Sequence, residues 1–420
     1  MKGIPNLDQL KVRASVGTVG NDDLGTYWPY MALYELKLND TEPGYTQVMD
    51  SPGNLDLQWE VNTNWDVAVE FQAFKRRLTG TVEYFHHQTS NLLMDVTLSP
   101  SSGKNSYPTN DGGLLNSGFE LQLAYDIIKT KKVKWNVGVN ASLLKNKITY
   151  LPIPAYTTNS SFNKIEEGHS VYEWWLYQWE GVDPATGLNY FKLGDGFYKK
   201  DAEGVVTNEY IDGIETNADV ITVDGKYYTT AIAQSKQDYS GSPLPKVFGG
   251  ITTDLSVGNF TFALNLYYQL GGVGYDRGYS NILQQGIIGD NKPYINRHVD
   301  AAKSWKQPGD VTDFAILTTS TKAVGSSSYS ENTTATRSTR WLTTTNMLEI
   351  NNVTMAYSLP KNLCNKLDLS SIKIYASADH LYLFNARRGY YTNYSLSNYT
   401  SNASFSKPAR TITVGVNLGL

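Results

Sequence analysis

Asn116 to Leu144 reads NSGFELQLAYDIIKTKKVKWNVGVNASLL, two alternating runs around a short basic turn. In the first run Phe119, Leu121, Leu123, Tyr125 and Ile127 share one parity, and Glu120, Gln122, Ala124 and Asp126 share the other. In the second, Trp135, Val137, Val139, Ala141 and Leu143 oppose Asn136, Gly138, Asn140 and Ser142. Successive side chains of an extended chain point to opposite faces, so this spacing predicts a hairpin with one apolar and one polar face. Two all-β folds use such a face. A soluble sandwich packs it against a second sheet, whereas a transmembrane barrel turns it to lipid and leaves the polar face lining a wet lumen.

The same alternation runs through the chain. Leu10, Val12, Ala14 and Val16 share a parity, and Trp65, Val67, Val69, Phe71 and Ala73 lead through the basic turn Lys75-Arg76-Arg77 into Leu78, Gly80, Val82 and Tyr84. Further strands are predicted over 171–182, 188–193, 246–257, 260–270, 347–359, 372–384 and 411–420. Long polar connections at 21–62, 96–113, 151–169, 194–243, 274–345 and 385–408 alternate with short ones, among them Asp183 to Gly187 (DPATG), Gly258-Asn259 and Pro360 to Ser370. About twelve antiparallel strands with loops sorted by length is the connectivity of an outer-membrane barrel, short turns on the periplasmic side and long loops outside. A sandwich has no reason to sort them so. The parity places both chain ends on the short-turn side. Within 347–359 the parity switches after Ile350, which predicts a bulge at Asn351-Asn352.

Composition narrows the classes further. Hydrophobic residues make up 40% of the 420, charged residues 18%, and no apolar run is long enough for a membrane helix. The 36 basic and 40 acidic residues leave a net charge of −4 and no basic stripe, which argues against nucleic acid as a partner. Cys364 is the only cysteine and is read as a small buried hydrophobe. No secretory signal opens the chain, so the barrel reading carries with it the expectation that residues 1–420 are one portion of a longer receptor.

Several blocks in succession resemble a known family. They are LKVRASVGTVGN (Leu10 to Asn21), NLDLQWE (Asn54 to Glu60), RLTGTVEYFHHQTSNLL (Arg77 to Leu93), LLNSGFELQL (Leu114 to Leu123) and GVDPATGLNYF (Gly181 to Phe191). PKVFGGITTDLSVGNFTFALNLYYQLGG (Pro245 to Gly272), LEINNVTMAYSLP (Leu348 to Pro360) and the last strand follow. In this order they resemble the SusC/RagA-type TonB-dependent transporters of Bacteroidota. The resemblance implies the C-terminal part of a 22-stranded barrel in the cell outer membrane. Nothing in these residues is similar to a signal peptide, TonB box or plug domain, so transport by this portion alone is not expected. The resemblance further implies import of an oligosaccharide or peptide substrate, a SusD-like surface lipoprotein as partner, energy from TonB-ExbB-ExbD through the N-terminal part, and insertion by the barrel-assembly machinery. That machinery reads a C-terminal alternating strand, here Ile412, Val414, Val416, Leu418 and Leu420.

Residue roles follow from this reading. Trp65, Phe71, Phe119, Leu121, Leu123, Trp135, Val137, Val139 and Leu264 are expected to face lipid. The run Tyr172, Trp174, Trp175, Tyr177 and Trp179 is densest in aromatics, and Trp175, Tyr177 and Trp179 fit an interfacial girdle. Loop aromatics have no membrane role, which makes Tyr27, Trp28, Tyr30, Tyr275, Tyr279, Tyr390, Tyr391, Tyr394 and Tyr399 the candidate substrate-binding residues. Equally, these rings pack the loops or meet a lipoprotein lid. His86-His87 suggests a metal, but strand neighbours point to opposite faces, and the acids Asp183, Asp195, Asp201, Asp212, Asp219 and Asp224 lack the spacing of a calcium loop. No metal, cofactor or catalytic residue is expected, and no enzyme motif occurs. Two rival readings are a secreted β-rich glycan-binding module and a self-contained small outer-membrane barrel.

Overall fold

The computed structural model describes residues 5–22, 28, 30–38, 44–97, 106–157, 162–284, 297–318, 322–324, 326–387, 390 and 408–419. Its frame is a ten-stranded antiparallel sheet. The strands are β1 (Leu7–Asn21), β2 (Glu60–Ala73), β3 (Leu78–Ser90), β4 (Gly113–Lys129), β5 (Val133–Tyr150), β6 (Val247–Val257), β7 (Phe260–Leu270), β8 (Met347–Ser358), β9 (Ser371–Asn385) and β10 (Thr411–Gly419). They pair in sequence order, so every connection joins neighbours. No described helix is long and apolar enough to cross a membrane, a criterion that says nothing of strands.

Register turns the alternation of each strand into two continuous faces. Leu10, Phe71, Gly80, Leu123, Val139, Ile251, Leu266, Ile350 and Tyr382 are successive cross-strand partners from β1 to β9. One residue along, Lys11, Glu70, Thr81, Gln122, Asn140, Gly250, Tyr267, Glu349 and Leu383 form the parallel row on the other face. A slip of one residue would exchange the two rows, so the apolar face itself specifies the register. The polar row is tied by charge: Lys11 Nζ lies 3.2 Å and Arg13 Nε 3.0 Å from Glu70, and Arg13 also reaches Glu83. On the apolar face Phe119 is 53% exposed and Val414 74%, which for side chains of this kind marks a surface made for something other than water.

Register shifts adjust this pattern, and two of them lie within the wall away from its strand ends. Asn351 has no cross-strand partner: Ile350 pairs with Leu266 and Tyr382, Asn352 with Asn265 and Asp379, so the bulge predicted at Asn351-Asn352 is present and switches the parity. A second bulge at Ile127 brings Ile128, not Ile127, opposite Trp135.

Long and short connections alternate without exception along the sheet, and the start of β1 and the end of β10 lie at the short-turn rim, where Leu7 pairs with Ala73 and Gly419 with Ser371. Two of the expected wall strands are corrected. Residues 171–182 and 188–193 lie within one connection, 151–246, between β5 and β6, and contribute only the short strands Trp175–Tyr177, Trp179–Val182 and Asn189–Phe191. The DPATG turn therefore belongs to the long-loop rim, and among the described residues the wall has ten strands where about twelve were expected. Three or four extended residues cannot span a bilayer, which takes about 9–11.

Candidate functional site

The connections 151–246 and 271–346 fold against each other into a packed layer at the long-loop rim. Its core is Phe162, Trp174, Leu176, Tyr275, Leu283, Ala301 and Trp341. Trp174 Nε1–H donates to the Val273 carbonyl at 2.7 Å, and the amide of Tyr177 donates to the Arg337 carbonyl at 3.0 Å, so the two connections share hydrogen bonds as well as rings. Short ladders join Trp175–Tyr177 to Gln237–Tyr239 and Val273–Tyr275 to Leu342–Thr344. The expected girdle is thereby corrected: Trp175 and Tyr177 belong to this layer, Trp175 packing edge-on to Tyr239 with Lys164 Nζ 4.4 Å from its ring centroid. Their alternation was real, but its cause is a loop ladder.

The candidate binding residues divide by environment. Trp28 and Tyr30 are exposed, at 54% and 45%. Tyr275 and Tyr390 are buried, Tyr275 accepting the Arg337 amide at its hydroxyl (3.1 Å), and burial pushes the Tyr275 phenol up to about 12. Tyr279 lies between: its hydroxyl donates to Asp300 Oδ2 at 2.7 Å, Arg387 covers its ring, and burial followed by Asp300 raises it to about 12. Tyr27, Tyr391, Tyr394 and Tyr399 fall outside the described residues, as does Leu420. The residues expected to face lipid share the apolar face of the wall.

The acidic turns have structural partners. Asp183 Oδ1 accepts the Ala185 amide at 3.1 Å and Oδ2 the Thr186 hydroxyl at 2.6 Å, while Asp219 accepts from Gln234 Nε2 at 2.7 Å. His86 stacks on Trp65 with centroids 4.9 Å apart, and His87 Nε2 lies 3.2 Å from Asp66 Oδ1, so the two imidazoles sit on opposite faces of the wall. No metal-ligating group of three or more side chains occurs among the described residues.

One residue that the sequence did not single out stands at the centre of the layer. Arg340 lies over Trp341 (4.8 Å to the centroid), Trp179 (5.3 Å) and Phe314 (5.9 Å), and its Nη1 donates to Asn189 Oδ1 at 2.6 Å. The same oxygen accepts from Trp179 Nε1 at 2.8 Å, and the Asn189 amide group donates to the Asn332 carbonyl at 2.7 Å. Burial lowers the Arg340 guanidinium to about 10. An arginine among threonines has no signature in spacing. Its partners come from three distant stretches.

Known proteins resemble the chain at this level of architecture. TonB-dependent receptor P39 of Formosa agariphila is 25% identical over 409 residues, 93% of this chain and 38% of that protein. TonB-dependent receptor SusC of Bacteroides thetaiotaomicron is 24% identical over 312 residues, 72% of this chain and 29% of that protein. The solved structure of the RagAB peptide transporter superposes with a TM-score of 0.72 at 21% identity, over 99% of this chain and 41% of that one, a likeness of fold. The chain thus spans about two fifths of the length of P39 or less. Residues 5–230 match the family described as TonB dependent receptor-like, beta-barrel, and with more than half of its length inside that match the chain belongs to this family.

Proposed function

We propose that this chain forms part of the wall and outer loop layer of a TonB-dependent importer in the outer membrane, taking up an oligosaccharide or peptide. The observation that carries the reading is the sorting of connections: every long one lies at one rim of the sheet, and two of them fold into an aromatic layer there. Such a layer is placed to receive a nutrient arriving from outside, while the polar row of β1 to β9 lines the path inward and the apolar face meets lipid. Aromatic faces suit both sugar rings and peptide side chains. A SusD-like lipoprotein would cap the layer, TonB-ExbB-ExbD would act through the N-terminal part, and the barrel-assembly machinery would read β10. The relatives, a receptor SusC and a peptide transporter, favour this class over a secreted glycan-binding module.

Deletion of the gene tests the reading. Growth of the mutant on a panel of purified oligosaccharides and peptide mixtures as sole nutrient is expected to fail on one class and recover on complementation. Unchanged growth and uptake on every member of both classes would overturn it.

A further inference from the structure

Arg340 is a partly buried cation set among aromatic rings, and the Asp313 carboxylate acts on it without ion-pair contact. Among the described residues no carboxylate lies within 4.0 Å of it, and its guanidinium makes one side-chain hydrogen bond there, to Asn189. A guanidinium carries five N–H donors, and removal from water is costly unless a counter-charge or acceptors replace the solvent. The three rings offer a partial substitute through their negative faces.

Arg340 lines a small crevice with Leu283, Phe314, Ile316, Leu317, Thr318 and Trp341. Its volume is about 30 Å³. A buried water needs roughly 10–15 Å³ on this measure, so the space takes two oxygen-sized atoms and little more. The site is also rigid. Asn189, which holds the guanidinium, is fixed by the Trp179 indole and by reciprocal bonds with Asn332, whose Oδ1 accepts the Asn189 amide at 2.8 Å and whose Nδ2 donates to the Asn189 carbonyl at 2.9 Å.

We propose that Arg340 forms a subsite for the carboxylate of the imported substrate, the two oxygens entering the crevice while the rest of the molecule stays at its mouth. A planar fork meeting a carboxylate makes two parallel charge-assisted hydrogen bonds, and apolar walls strengthen them by excluding water. The inference rests on the importer reading and names the chemistry of its substrate: a free carboxylate, whether the C-terminus of a short peptide or the acid group of a uronic acid sugar.

The test uses the full-length receptor purified in detergent, which keeps it separate from the growth experiment. Four probes are titrated by calorimetry and tryptophan fluorescence: N-acetyl-trialanine as free acid and as C-terminal amide, methyl glucuronide, and methyl glucoside. At least one acid is expected to bind about tenfold or more tightly than its neutral counterpart, and whichever pair shows the gap identifies the source. Arg340→Gln is expected to close that gap by weakening the acid more than the neutral probe, and Arg340→Lys to restore part of it. Because the acid-to-neutral comparison is made first on the unaltered receptor, misfolding of a variant cannot decide the result. Equal binding of acid and neutral probes, no binding of either acid at millimolar concentrations, or a gap that survives Arg340→Gln would overturn the proposal. A growth defect alongside any of these outcomes would leave the importer standing and remove only the carboxylate.

Discussion

Arg387 Nη1 lies 2.8 Å from Asp276 Oδ2, joining the start of the connection after β9 to that after β7. The same guanidinium lies 3.2 Å from the centroid of the Tyr279 ring, so one side chain holds a carboxylate and an aromatic of the neighbouring loop. Asp276 is nearly buried, its side chain 7% exposed, and Arg387 is 28% exposed. Breaking a buried pair costs about 3–5 kcal/mol because the remaining charge is stranded, and the partial exposure of Arg387 reduces this to about 2 kcal/mol here. Arg387→Ala is therefore expected to speed amide exchange across 274–284 and 339–345, read by mass spectrometry, while exchange in β4 and β5 stays unchanged. Equal exchange in the variant would show that the pair is not what joins the loops.

The apolar row makes a directional prediction. Leu123→Arg places a charge mid-row on the apolar face, and Gln122→Arg places the same charge on the polar row one residue away. At the bilayer midplane a lipid-facing Arg costs about 2–4 kcal/mol, and a lumenal one far less. The first variant is expected to lower the amount of assembled receptor in outer membranes several-fold, the second to leave it near normal. Similar levels for both would contradict the assignment of faces.

Deletion of Asn351 tests the bulge. With the extra residue gone, either Leu348 and Ile350 or Val353 and Met355 must move to the polar face. The deletion is expected to reduce assembly strongly, whereas Asn351→Ala, which keeps the residue count, is expected to be mild. Heat-modifiable migration of the folded barrel on gels distinguishes them.

Gly187 closes the DPATG turn at φ +73°, and a Cβ there would come 2.5 Å from the Trp305 ring. Trp305 in turn donates its indole N–H to the Pro184 carbonyl at 2.9 Å. Gly187→Ala combines a left-handed strain with a collision and is expected to cost about 2 kcal/mol locally. Exchange should rise over 183–191 and 305–316 together, since the turn and the tryptophan rest on each other.

Acid should loosen one corner of the loop layer. Lys164 (2.6 Å) and then the Tyr239 hydroxyl (2.8 Å) hold the Glu166 carboxyl below its ordinary value of 4.5. A carboxylate with a depressed folded pKa contributes its stability in full above the unfolded value and loses it as the pH falls through the folded one. Amide exchange over 162–175, corrected for intrinsic rate, is expected to rise below pH 4.5 in the unaltered receptor and to change less in Glu166→Gln.

The wall was legible because its physics is local. Period two at Phe119 to Tyr125 and Trp135 to Leu143 fixes both faces of a hairpin before any partner is known, and the parity switch at Asn351 betrays the bulge from the sequence alone. The loop layer was not legible in the same way. Trp175, Tyr177 and Trp179 alternate as a wall strand does, but the pairing of 175–177 with 237–239 keeps the ladder short and in the loops. The role of Arg340 depends on Asn189, Trp179 and Phe314, which only folding brings together.

The central claim is that the two faces of this wall meet different solvents. Its most direct test is spin labelling along β4, with Cys364→Ala removing the buried native thiol and single cysteines placed in turn at Glu120, Leu121, Gln122 and Leu123 of the full receptor in lipid. Labels at positions 121 and 123 are expected to relax with dissolved oxygen and to ignore a water-soluble nickel chelate. Those at 120 and 122 are expected to show the reverse preference or to be shielded from both by groups in the lumen. Shielding of 121 and 123 from both reagents, as against a second packed sheet, or an oxygen response without alternation along the strand, would contradict a transmembrane wall.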